Sequence, residues 1–181
     1  MTLTKRSVQT LRLAYAALFL GIALVLPFLT GQIPQIGSML CPMHIPVLLC
    51  GFLCGWPYGL AVGLVAPLLR FVIFGMPPLY PTAIAMAFEL AAYGAVSGLL
   101  YRLLPKKAWA VFVALIGAMV AGRVVWGLAQ FVLLQLQGQV FSAAMFVAGA
   151  ITTAIPGIIL HLVSIPAIVL ALRKAKLVLN A

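Results

Sequence analysis

The sequence predicts an all-α integral membrane protein with six transmembrane helices and both termini in the cytoplasm. Three observations lead there. Of 181 residues, 66% are hydrophobic and only 7% charged, with a mean hydropathy of +1.26. Soluble domains carry about 25% charged residues, so the solvent for most of this surface is lipid. Second, six apolar segments follow one another with only short polar or Pro/Gly-rich interruptions, which makes residues 1–181 a single domain. Third, the basic residues cluster: Lys5, Arg6 and Arg12 at the amino end, Arg102, Lys106 and Lys107 around the fourth connection, Arg173, Lys174 and Lys176 at the carboxyl end. The alternate loops carry no Lys or Arg, and the positive-inside bias therefore puts all three clusters in the cytoplasm. The net charge of +10 thus reports orientation, and no nucleic-acid partner is expected.

The first segment, Val8–Leu29, is long enough to cross a hydrocarbon core of about 30 Å. Lys5 and Arg6 precede it as in a signal peptide, but no small-x-small cleavage site follows, so it reads as a membrane helix. An uncharged loop, Thr30–Cys41, leads to a short second segment, Pro42–Gly55, which Trp56-Pro57 turns directly into the third, Tyr58–Phe74. Both fall below the roughly 20 residues that a span needs. They tilt, thin the bilayer, or sit against a loop that dips inward. The loop 75–80 opens the fourth segment, Pro81–Leu104; Pro105-Lys106-Lys107 separates it from the fifth, Trp109–Leu134; and Gln-rich 135–139 precedes the sixth, Phe141–Leu172. Trp56 and Trp109 read as interfacial anchors. Cys41, Cys50 and Cys54 form no CxxC pair and read as polarizable filler.

Arg70, Arg123 and Glu89, the chain's one acid, lie inside spans. Each such charge near the bilayer centre costs about 2.5–3.5 kcal/mol on insertion scales, so all three need a reason. Counting residues from the nearer boundary puts Glu89 and Arg70 about 12 Å deep and Arg123 about 9 Å deep, at one level of the outer leaflet. Arg123, Trp126 and Gln130 recur at helical spacing on the fifth segment, and Thr82, Glu89, Tyr93 and Ser97 form a polar stripe on the fourth. His44 enters from the outer side, and Tyr80 sits in the outer loop ahead of the fourth segment. The substrate-binding candidates are accordingly His44, Arg70, Tyr80, Glu89, Tyr93, Arg123, Trp126 and Gln130. Two readings stay open: a solute pocket, or an ion pair that only holds helices in register. Since one acid cannot neutralise two arginines, about one positive charge is left over.

His161 counts out about 27 Å below the outer face and reads as a structural residue near the inner interface. Enzyme chemistry is not expected. With the two histidines on opposite sides there is no three-ligand metal site, and there is no acid pair and no P-loop. Neither cofactor nor metal is predicted. An ion-coupled carrier running on Glu89, which would work without an ATPase, and a ligand-free structural subunit remain as alternatives.

Pro42-Met43-His44-Ile45-Pro46, the string from Gly75 to Thr82, and Ala118-Met119-Val120-Ala121-Gly122-Arg123 resemble the substrate-binding (S) components of energy-coupling factor (ECF) vitamin transporters. The similarity extends over nearly the whole chain. It implies a multi-pass protein of a prokaryotic plasma membrane, an ABC-type importer partnered by a transmembrane coupling subunit and two cytoplasmic ATPases, and toppling of the S component to release solute inside. Family members typically carry Ala-x-x-x-Ala on the first helix, where the coupling subunit packs. Here Ala17-x-x-x-Gly21 is the nearest match; it departs in its second residue but keeps two small side chains that permit close helix approach. Ordinary packing inside the bundle explains that pair equally. The resemblance leans toward members linked to cobalamin precursors, dimethylbenzimidazole or its riboside α-ribazole, whereas the surplus charge suggests an anion such as pantothenate or a phosphorylated compound.

Overall fold

A computed structural model describes residues 5–30 and 33–180. Gly31 and Gln32, and the side chains of Lys5, Thr30, Pro34 and Ser38, lie outside the described residues. Helix α1 (Lys5–Val25) tightens into a 3-10 turn, Leu26–Thr30, and a short α2 follows (Pro34–Leu40). Then come α3 (His44–Cys54), α4 (Trp56–Phe74), an irregular turn Leu79–Ala83, α5 (Ile84–Leu103) and α6 (Ala108–Leu136). The chain closes with α7 (Ala143–Val147), a wide turn Ala148–Thr152 and α8 (Ile155–Lys174). Among the described residues there is no strand. Five stretches are long and apolar enough to cross a bilayer: Arg6–Leu29, Trp56–Phe74, Leu79–Leu103, Ala108–Leu136 and Ala143–Lys174. Apolar side chains such as Leu13, Val72, Leu103, Val120 and Val163 stand exposed on their outer faces, as lipid requires.

The remaining apolar helix, α3, has 11 residues, a rise of about 16 Å. It is the axis of the bundle. His44 and the run Pro46–Cys54 are buried, and α1, α4, α5 and α8 pack around them. The chain enters α3 through Cys41, Pro42 and Met43, also buried. A helix too short to span is tolerated in such a bundle because its ends meet protein and not hydrocarbon. Gly55, at φ +103, makes the tight turn from α3 into α4, a conformation that side chains disfavour. Where α4 crosses α5 the backbones touch: a Cβ on Gly94 would stand 2.2 Å from the Gly59 carbonyl oxygen. Small residues at such crossings let helices associate closely in lipid.

The sixth segment departs from its predicted form. Phe141–Leu172 is not one helix but α7, a wide turn and α8, with Pro156 in the first turn of α8. Proline lacks the N–H that a helix start leaves unpaired, so it favours that position. The 32 residues of Ala143–Lys174 would rise about 48 Å as a straight helix, well beyond the hydrocarbon thickness. The extra turns lie against α6 instead, with Phe146 beside Gly127 and Gly149 beside Trp126.

At the other end the basic residues converge. Arg173 Nη1 donates to the Lys106 carbonyl at 2.8 Å, Lys106 Nζ to the carbonyls of Tyr101 at 2.7 Å and Asn180 at 3.3 Å, and Arg12 to the carbonyl of Leu179. Burial first, then Arg102 and Arg173, holds Lys106 below the ordinary lysine range. The carboxyl-terminal tail is sewn in beside α3: Leu179 N donates to Leu53 O at 2.9 Å, and the Asn180 side chain donates to the carbonyls of Gly51 and Gly98.

Candidate functional site

A cavity of about 670 Å³ opens at the end away from the basic cluster. Its volume falls within the roughly 300–1,000 Å³ of small-molecule sites. Helices α2 to α6 each contribute a residue, and the turns that follow α1 and α7 close the rim through Pro27 and Gly149. The lining is mostly apolar (Met43, Met76, Met86, Pro77, Pro78, Trp126), with a few polar groups set into it.

Those polar groups meet at the floor. Glu89 Oε1 on α5 lies 3.0 Å from Arg123 Nη1 on α6 and 3.4 Å from His44 Nε2 in the first turn of α3. Glu89 is 2% exposed and His44 3%. Arg123 Nη2 also reaches Cys41 Sγ at 3.7 Å. The His44 ring stands edge-on to Tyr93, centroids 4.9 Å apart, and stacks on His161 at 5.9 Å. Glu89 Oε1, both ring nitrogens of His44, Arg123 Nε and His161 Nε2 have almost no accessible surface of their own, so the cavity meets His44, Glu89 and Arg123 through their other atoms. Among the described residues no three His, Cys, Asp or Glu side chains converge as metal ligands do.

Residues 11–169 match the family model described as ECF transporter, substrate-specific component. The chain belongs to this family. Comparison with curated proteins and with solved structures gives no significant match. Membership makes the chain a transport component and not an enzyme, a multi-pass protein that takes a small-molecule substrate and works with other parts of an ECF transporter.

The S component gathers His44, Arg70, Glu89, Arg123, Trp126 and Gln130 on one cavity. Tyr93 lies beneath it, 1% exposed, its ring packed against Gly122 and His44. Ser97, from the same predicted stripe, lies deeper and is bonded to the Gly94 carbonyl. Tyr80 stands apart. The extended backbone at Tyr80 (φ −116, ψ 134) sends its hydroxyl to the Leu133 carbonyl on α6, and it does not line the cavity. Ala17 and Gly21 are exposed on the outside of α1, with nothing within 4 Å of a Cβ built on Gly21, so packing inside the bundle does not account for them. Arg70 occupies another wall. Its guanidinium donates to the Leu24 carbonyl, in the last turn of α1, and lies 5.1 Å from the Phe28 ring centroid and 5.3 Å from that of Phe74.

His161 needs correction. Residue counting separated it from His44 by most of the membrane; the two rings stack. The cause is the break in the last segment. Because α8 starts at Ile155, His161 sits in its second turn and not deep in a longer helix. Pro156 was the available signal. Cys41, Phe28 and Phe74 were also missed, and nothing in their local sequence marks them.

Proposed function

We propose that this S component captures a small vitamin or cofactor precursor at the outer face of a prokaryotic plasma membrane. In this reading α3 counts as a sixth crossing, both termini are cytoplasmic, and a coupling subunit with two cytoplasmic ATPases drives import. The observation that supports it is the cavity floor, where the side chains of Glu89, Arg123 and His44, from three different helices, come together on a volume of the size of small-molecule sites. The first candidates are α-ribazole and dimethylbenzimidazole, then pantothenate. A flat heteroaromatic suits Trp126, whose ring faces Phe141 at 6.1 Å and Phe146 at 6.3 Å, while Glu89, His44 and Gln130 take its polar edge. The exposed Ala17–Gly21 pair is the surface on α1 where the coupling subunit docks.

Thermal unfolding of the purified protein with each candidate tests the reading. A ligand at about 100 times its Kd stabilises by about 2.7 kcal/mol, a shift of several degrees. No shift with any member of a broad vitamin and precursor panel would count against capture.

A further inference from the structure

We propose that Arg70 is an anion subsite, so that the captured solute carries a carboxylate or a phosphate. This rests on the cavity being the capture site and narrows the candidates to their anionic members. The chain holds a single side-chain acid, Glu89, and it stands 3.0 Å from Arg123. Arg70 is 3% exposed and lines the same cavity, yet the sequence has no other Asp or Glu to pair with it. Two arginines and one glutamate leave the cavity one positive charge in excess. The groups around Arg70 offset that charge only in part. The end of α1 at Leu24 contributes at most about half a negative charge. The rings of Phe28 and Phe74 offer cation–π attraction, which is weaker than a charged partner in a desolvated site. Leu24 takes one of five guanidinium N–H donors, and the planar fork matches carboxylate and phosphate oxygens in pairs. A solute whose body lies along Trp126 and whose charge reaches Arg70 would complete the site.

Matched pairs differing in charge test this: α-ribazole against its 5′-phosphate, and pantothenate against the neutral alcohol pantothenol. Affinities are measured by calorimetry on the full chain as wild type, Arg70→Gln and Arg70→Lys. In at least one pair the anion is expected to bind about 100-fold tighter to wild type, the gap vanishing in Arg70→Gln and partly returning in Arg70→Lys. A second readout needs no substrate. With Trp56→Phe and Trp109→Phe, Trp126 is the one remaining tryptophan, and iodide is expected to quench it more strongly than neutral acrylamide does, unless Arg70 is Gln. Neutral members binding as well as anions, or a preference that survives Arg70→Gln, would overturn the subsite and leave capture standing. Equal quenching by iodide and acrylamide would overturn it too. Silence of both pairs with iodide preference intact would remove the named solutes and support the subsite.

Discussion

The two ends of this bundle treat buried polar groups in opposite ways. At the basic end, Lys106, Arg173, Arg12 and Asn180 spend their donors on backbone carbonyls, and among the described residues only Arg12 Nε and the Tyr101 hydroxyl are left over there. At the cavity end, Glu89, Arg123 and His44 meet one another side chain to side chain and line an open volume of about 670 Å³. The difference is that between a latch, whose polar groups close on backbone carbonyls, and a cavity wall, whose charged side chains gather beside open space.

Substitutions can break this comparison. The largest effect is expected for Glu89→Ala, which strands the Arg123 cation in a buried layer and should cost about 3–5 kcal/mol in denaturant or thermal unfolding. Replacing both partners, as Glu89→Met with Arg123→Met, should recover most of that stability. If the double variant is as unstable as the single one, the pair is structural after all. Next, Asn180→Ala removes two hydrogen bonds at the closed end and should lower stability by about 1–3 kcal/mol while leaving ligand affinity unchanged. A change in affinity would mean the two ends are coupled. Trp126→Leu should weaken an aromatic ligand about tenfold, reflecting about 0.5–1.5 kcal/mol of ring stacking, with a smaller loss for pantothenate. The smallest change in stability is expected for Gly21→Leu, since the position is exposed with open space above it. Its effect should instead appear as lost uptake in cells that carry the coupling subunit and ATPases. Normal uptake would move the docking surface elsewhere.

Much of this was legible in the sequence, for a physical reason. Hydropathy reports the solvent, so the ends of α1, α4, α5 and α6 fall within a few residues of the apolar segments. A rise of about 1.5 Å per residue fixes depth along an unbroken helix, which is why Glu89 and Arg123 count out to one level and lie 3.0 Å apart. What composition does not encode is which neighbours cover a segment. The string His44–Cys54 looks like a weak span because it is short; it is the most enclosed helix, and other helices cover what lipid would have covered. Depth counting also fails wherever a helix breaks. Pro156 interrupts the last segment, and the error carries through to His161. Tyr80 was misplaced by a subtler route: its direction depends on one extended residue within a turn, which side-chain periodicity does not reveal.

The most direct measurement is ligand binding to the Glu89→Met/Arg123→Met protein, folded and with a melting temperature close to wild type, using whichever solute stabilises wild type. The expectation is a folded protein that no longer responds, with affinity down by about 100-fold or more. Binding that matches wild type would mean that the buried ionic floor takes no part in capture.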